Sequence, residues 1–191
     1  MTGSGNNNNS FLYPPGGILI WIIVMVEVVT FGIALITFRV NFENNFVDFL
    51  SQQGYLHKTI GLINTIILIS SGFFMVKTLH EIKESRIRYA KKWLIPTIIS
   101  GLLFLLLKSW EYSLAIGDGH VFGTTTFFNY YWMLTFFHFL HVTVGIIILS
   151  ALFASLHKGK YSILDFETAG VFWHMCDLIW ILLFPVLYLI H

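Results

Sequence analysis

Charged residues and cysteine are both scarce in this chain, and each scarcity excludes a class of protein. Only 11% of the 191 residues are charged while 56% are apolar, which leaves too little charge for an ordinary soluble domain. Cys176 is the one cysteine, so an internal disulfide framework and a multi-cysteine metal site are both excluded. The formal net charge of +1 offers no electrostatic basis for binding nucleic acid or an acidic substrate.

Long apolar stretches dominate the remaining sequence. Five of them reach the length of about 20 residues that a helix needs to cross a membrane. They are residues 18–38, 58–79, 93–116, 130–156 and 166–191. Nineteen Phe, eight Tyr and six Trp suit rings that face lipid or lie at the headgroup level. We therefore predict an all-α fold, a polytopic bundle with five transmembrane helices.

The chain divides into two parts by composition. Residues 1–17 contain a run of Gly, Ser and Asn with little apolar content, which predicts a flexible N-terminal segment. Residues 18–191 form the predicted five-helix domain. No basic region precedes the first apolar stretch, and that stretch is long enough to span, so we expect it to stay in the membrane and not to act as a cleaved signal peptide.

Basic residues in two loops predict the orientation. Residues 80–92 hold five Lys or Arg against two Glu, and residues 157–165 hold two Lys. Both loops are expected in the cytoplasm by the positive-inside rule. With five spans, this places the N-terminus in the cytoplasm and the C-terminus in the periplasm.

A few ionisable side chains interrupt the apolar stretches. An ionisable group at membrane depth costs about 2.5–3.5 kcal/mol on insertion scales, so such groups are expected to face protein or water. His174 and Asp177 share one face of the last span, and His138 and His141 share one face of the fourth. Two histidines on one face suit either a metal or haem site or a pair of hydrogen-bonded interhelical side chains.

The remaining ionisable groups leave alternatives open too. Glu27 stands alone in the first span, where it is either a proton relay or a protonated carboxyl hydrogen-bonded to another helix. Lys108 and Glu111 are three residues apart and are expected to pair near the outer interface. A di-iron bundle site would need Glu-x-x-His pairs, and no span contains one.

Smaller features complete the predictions. Pro96 is expected in the first turn of the third span and Pro185 to bend the last helix. Cys176 is expected to be an inert, apolar-site thiol. Tyr188 and the run 130–132 are expected to be interfacial or core aromatics.

Taken in order, these residues resemble subunit III of the haem-copper respiratory oxidases, in its five-helix form. The resemblance runs from about Ile18 to the C-terminus and rests on an ordered set of motifs. They are Glu27, Asn64-Thr65, Ser70-Ser71-Gly72, Trp110-Glu111-Tyr112, the run 123–128, His138-Phe139-Leu140-His141-Val142 with Gly145, and the run 173–180. The long form of the family has seven spans, and this sequence looks like the form without the first two.

The resemblance implies a non-catalytic accessory subunit of a proton-pumping terminal oxidase in the bacterial cytoplasmic membrane. It implies no cofactor in this chain, and haem and copper in partner subunits that include the catalytic subunit I. In the long form the two missing spans make one wall of a cleft for structural phospholipid, so an intact cleft here is expected to need a partner chain. The resemblance implies that the subunit supports sustained proton uptake by the complex, and Glu27 matches the family's membrane carboxylate, with either a proton-related or a structural role. Five residues match a polar network among the last three helices: Glu111, His138, His141, His174 and Asp177.

Two other functions stay open at the level of sequence. Five-span members also occur as subunit III-like proteins of nitric oxide reductase, and the electron donor of an oxidase is either cytochrome c or a quinol. A self-sufficient membrane metalloprotein would instead use His138, His141 and His174 as ligands. No nucleic-acid partner is expected.

Overall fold

The computed structural model of the chain describes residues 14–189 and contains six α-helices and a terminal π-helical turn there. Residues 1–13, the greater part of the predicted flexible segment, lie outside this range, as do residues 190 and 191. The helices are α1 (Ile18–Asn44), α2 (Phe46–Gln53), α3 (Lys58–Lys83), α4 (Ile87–Gly117), α5 (Thr126–His157) and α6 (Ile163–Phe184), and the π-helical turn covers Pro185–Leu189.

Five of these helices are long and apolar enough to cross a membrane, which confirms the predicted all-α bundle of five spans within the described residues. The helices extend beyond the apolar stretches at most ends, because backbone hydrogen bonding continues through polar residues outside the hydrocarbon core. The prediction for Pro96 was wrong for this reason. Helix α4 begins at Ile87, so Pro96 lies well inside the helix instead of in its first turn.

The connection between the first two spans is also more helical than the sequence indicated. Helix α1 continues to Asn44, and α2 follows after one residue. Phe49 of α2 packs against Phe38, Phe42 and Phe127, with ring centroids 5.6–6.0 Å apart. The buried amide of Gln53 donates a hydrogen bond to the carbonyl of Leu187 at 3.0 Å. Helix α2 therefore attaches the C-terminal end of α1 to α5 and to the C-terminal turn.

Helix α6 is the centre of the bundle and packs against α1, α3 and α5. Its Trp173 is fully buried and fits where Gly101 of α4 and Gly145 of α5 leave space. A Cβ atom at either glycine would lie 2.7–2.8 Å from the indole ring. The indole nitrogen donates a hydrogen bond to Ser71 Oγ of α3 at 2.8 Å. One side chain thereby holds four helices together.

Helix α1 lies at the edge of the bundle. Most of its side chains are exposed, and its contacts are with α6, with α5 and with α2. Residues just before it attach it to the start of α6, because Thr168 donates a hydrogen bond to the carbonyl of Gly16 at 2.9 Å. The first turns of α1 and α6 therefore lie at the same end of the bundle.

The last helix changes form at Pro185. Helix α6 ends at Phe184 and continues as the π-helical turn, where the sequence predicted a bend. This turn places the fully buried Tyr188 against Trp180 and Phe184. Tyr188 is thus brought into the interior beside helix α4.

Candidate functional site

The predicted site residues lie in four separate places, and no hydrogen bond between described residues joins one place to another. Glu27 and His141 meet between α1 and α5. Glu111 lies in a buried cluster near the C-terminal end of α4. His138 is enclosed by aromatic rings. His174 and Asp177 lie together on α6.

Glu27 and His141 form the contact that links the peripheral helix α1 to α5. His141 Nε2 lies 3.3 Å from Glu27 Oε1, and both side chains are mostly buried. His141 Nδ1 lies 2.8 Å from the carbonyl of Phe137. A carbonyl oxygen only accepts, so Nδ1 carries a hydrogen and donates it. Nε2 is therefore the ring nitrogen that faces the carboxyl group of Glu27.

The Glu27–His141 pair lies in an apolar setting. Three aromatic rings surround His141 with centroids 4.7–6.4 Å away, those of Phe31, Phe137 and Phe172. Glu27 Oε2 is buried and has no partner among the described residues. The carboxyl and the imidazole thus lie next to each other in an apolar setting, and one carboxyl oxygen has no partner among the described residues.

Lys108 and Glu111 pair as predicted, with Lys108 Nζ 3.0 Å from Glu111 Oε2, and both side chains are buried within the protein. Two tyrosines complete the cluster. Tyr131 and Tyr188 each donate a hydrogen bond to Glu111 Oε1, at 3.0 and 2.6 Å. Lys108 Nζ donates to both tyrosine oxygens, at 3.1 and 2.7 Å. The three ammonium hydrogens are all used, so the cluster is a closed and electrically neutral unit.

Sequence reasoning found only the i,i+3 pair of Lys108 and Glu111 and missed the two tyrosines of this four-residue cluster. Tyr131 and Tyr188 were predicted to be interfacial or core aromatics, and both are fully buried. They come from helix α5 and from the π-helical turn, 23 and 80 residues from Lys108. The one available signal was general. A buried lysine needs hydrogen-bond acceptors, and a tyrosine hydroxyl is one of the few acceptors that apolar spans contain.

His138 is fully buried, and neither of its ring nitrogens has a hydrogen-bond partner among the described residues. Its ring stacks on Trp180 at 5.3 Å and meets the edge of Phe104 at 5.7 Å. Although His138 and His141 share a helix face, they differ in surroundings. His138 points into the bundle and His141 toward α1.

His174 and Asp177 lie where α6 crosses α3. His174 Nδ1 is 3.4 Å from Asp177 Oδ2. A Cβ atom at Gly72 of α3 would lie 2.5 Å from the same oxygen, so the carboxyl group sits directly on the backbone of α3. Asp177 Oδ1 is buried with no partner among the described residues. The imidazole of His174 is the more accessible of the two side chains, at 43% exposure against 9%.

Comparison with known proteins adds to this geometry. The family model for "Cytochrome c oxidase subunit III" matches residues 55–191, from the residues just before α3 to the C-terminus. This chain belongs to that family. Three of the four places described above lie wholly inside the matched residues. Glu27 lies outside them, so its role rests on the resemblance of α1 and on its contact with His141.

Individual members of the subunit III family are similar over much of the chain. "Cytochrome c oxidase subunit 3" of Thermostichus vulcanus is 38% identical over 132 residues, which are 67% of this chain and 64% of that protein. Its namesake in Synechocystis sp. is 38% identical over 133 residues, 67% of this chain and 55% of that protein. This chain therefore spans about half to two-thirds of the length of these relatives.

A longer alignment joins the family to a fused protein. "Heme-copper oxidase subunit I+III" of Aeropyrum pernix is 27% identical over 179 residues, which are 89% of this chain and 22% of that protein. The two subunits named there belong to one polypeptide. In that relative, the subunit III part is covalently joined to subunit I.

The structure also bears on the predicted metal alternatives. Among residues 14–189, no three His, Cys, Asp or Glu side chains lie close enough together to hold a metal ion. His138, His141 and His174, the ligands expected for a self-sufficient metalloprotein, have the three different surroundings described above. That this subunit III family member holds no cofactor of its own stays a prediction.

Proposed function

We propose that this chain acts as the accessory subunit III of a haem-copper terminal oxidase and packs beside the catalytic subunit I. The observation that carries the proposal is the match to the subunit III family over residues 55–191. The relative in which subunits I and III share one polypeptide supports subunit I as the partner. Haem and copper belong to the partner subunits in this proposal, and so does the reduction of oxygen.

The pair formed by Glu27 and His141 is proposed to support proton uptake by the complex. Its two ionisable groups lie 3.3 Å apart within two apolar helices. Two neighbouring groups that can each bind a proton are suited to take one up and pass it on. The role is one of supply to the partner, since no reacting centre is assigned to this chain.

We further propose a multi-pass position in the bacterial cytoplasmic membrane with the N-terminus inside. Lys83 at the end of α3 pairs with Glu167 in the second turn of α6 at 2.7 Å. Glu167 Oε2 also accepts a weak hydrogen bond from the backbone of Gly16. The two basic loops and the start of α1 therefore lie at one end of the bundle, which is the end that the positive-inside rule places in the cytoplasm.

A structural phospholipid is proposed for the outer groove between α1 and α5. A cavity of about 460 Å³ lies there between Ala34 and Thr37 on α1 and Tyr130 and Met133 on α5. A second cavity of about 250 Å³ shares Ala34 and Met133 and continues along the same groove. The lining is mostly apolar, which suits acyl chains at this depth.

The test is a mild-detergent purification of the native complex through a tag on this chain. We expect a haem-copper subunit I among the co-purifying proteins, and we expect all haem absorbance to leave with that subunit when the complex is dissociated. Phospholipid extraction of the same sample tests the groove. Purification of this chain without subunit I, or haem that remains with it alone, would contradict the proposal.

The Glu27→Gln variant tests the role of the carboxyl group in the same complex. We expect unchanged haem spectra together with slower proton uptake or fewer turnovers before inactivation. Glu43→Gln is the matched control, because Glu43 is an exposed carboxylate near the end of the same helix, paired with Arg39. Equal behaviour of the two variants would count against the proton role and leave the assignment as subunit III intact.

A further inference from the structure

His174 is an ionisable side chain exposed near the middle of a membrane-spanning helix. It lies eleven residues after Ile163, the first residue of α6, which is about 16 Å along a span of 27 residues. Its side chain is 43% exposed. Three ionisable groups well inside the other spans are better covered: Glu27 at 20%, His141 at 13% and Lys108 at 0%.

Lipid cannot satisfy a histidine at this depth. Acyl chains offer neither a donor nor an acceptor, and headgroups lie at the two ends of the span. Nδ1 of His174 lies 3.4 Å from Asp177 Oδ2, while Nε2 neither donates to nor accepts from a described residue. Exposed side chains at comparable depth on α5 are apolar, such as Leu140, Val144 and Ile147. The α6 position therefore differs from an ordinary lipid-facing surface.

A groove surrounds His174. Helix α6 forms its floor with His174 and Leu178, and α1 forms one wall with Trp21, Val24 and Val28, enclosing about 300 Å³. On the other side, Gly72 of α3 approaches within contact distance of His174. The indole nitrogen of Trp21 already donates to the carbonyl of Pro15 at 3.0 Å. His174 is thus the one side chain in the described lining with a polar atom left to bond.

We propose that this groove, here called the His174 groove, receives a membrane-spanning helix of subunit I whose side chain hydrogen-bonds to His174 Nε2. The inference rests on the proposed function and adds to it the face of the chain that meets the partner. A protein helix fits the observations because it supplies both apolar side chains for the walls and one polar side chain for the imidazole. A lipid would supply only the former.

Photo-crosslinking in the intact complex tests the location. A photoreactive amino acid replaces Leu178, which is 47% exposed in the groove. The control replaces Ile147 on α5, which is 63% exposed and has apolar neighbours. We expect the probe at 178 to crosslink to subunit I and the probe at 147 to give lipid adducts. Crosslinks from 178 to lipid alone, or to a protein other than subunit I, would overturn the inference.

Substitution of His174 gives a second measurement, for which a lipid-facing surface and a protein interface predict opposite results. On a lipid-facing surface, His174→Leu would be neutral or favourable, because it removes a polar group from hydrocarbon. In the proposed interface it removes a hydrogen bond, so we expect about threefold to tenfold less of this chain per haem after a detergent wash. His174→Gln keeps a donor and an acceptor and is expected to retain most of the chain. Full retention of the Leu variant would refute the interface.

The two proposals fail in different ways. If subunit I does not co-purify with the unaltered chain, the proposed function fails and with it this inference. If subunit I co-purifies but the probe at Leu178 does not reach it, only the assignment of the His174 groove fails.

Discussion

Lys108 and Glu111, three residues apart on α4, form an ion pair with 0% and 2% side-chain exposure, closed by the hydroxyl groups of Tyr131 and Tyr188. Two charges away from water carry a large desolvation cost, which is offset when every donor and acceptor is used. Here all of Lys108's hydrogens are used, and Glu111 accepts from three groups. The cluster joins α4, α5 and the C-terminal turn.

Lys108→Met is expected to destabilise the protein strongly, by about 3–5 kcal/mol, because it leaves the Glu111 carboxylate buried without its cation. The measurement is the midpoint of unfolding in detergent, monitored by intrinsic fluorescence. Lys77→Met is the matched control, since Lys77 lies over the exposed ring of Phe73 on α3. The double variant Lys108→Met with Glu111→Gln should recover part of the loss. Equal midpoints for Lys108→Met and the control would show that the buried pair contributes little.

Gly145→Ala is expected to loosen the bundle because a Cβ atom there would lie 2.8 Å from the ring of Trp173. The ring has no free space to move into, since Gly101 of α4 borders it from the other helix. Overpacking of this kind costs about 1–3 kcal/mol. Gly32→Ala is the control, because nothing lies within 4 Å of a Cβ atom at that position on α1. We expect a lower thermal unfolding temperature for Gly145→Ala and no change for Gly32→Ala. An unchanged temperature for Gly145→Ala would mean that α5 and α6 can move apart at this contact at little cost.

The hydrogen bond from Trp173 to Ser71 is expected to contribute about 1 kcal/mol to stability. Trp173→Phe removes the donor and Ser71→Ala the acceptor. In a double-mutant cycle, the combined loss should be smaller than the sum of the single losses by roughly that amount. Strictly additive losses would indicate that the bond is not formed in the membrane-embedded protein.

The sequence could predict the number and type of the helices because each apolar stretch is a local property. It could also predict the pair within α4 and the shared face of His174 and Asp177, since a spacing of three residues fixes neighbours along one helix. It could not predict the partner on another helix. Glu27 and His141 meet across 114 positions of sequence, and His138, on the same face as His141, turns to Trp180 instead.

The unpredicted part of the structure has a common physical cause. Every span is apolar around most of its circumference, so the pattern does not reveal which side faces lipid and which faces protein. The glycines at positions 72, 101 and 145 determine how closely the helices approach, because each leaves space for a side chain of α6. This depends on the fold as a whole, and no local pattern encodes it.

Gln53 offers a test of how α2 is attached to the C-terminal turn. Its buried amide donates to the carbonyl of Leu187 in the π-helical turn at 3.0 Å, so Gln53→Ala removes a donor and leaves that carbonyl without this partner. A loss of this kind costs about 1–3 kcal/mol locally. We expect faster hydrogen exchange in α2, measured by mass spectrometry of the complex, with little change in α3. Gln52→Ala is the control, because Gln52 is its neighbour and is only partly buried. If both variants leave exchange in α2 unchanged, then the aromatic contacts of Phe49 hold the helix in place without the hydrogen bond.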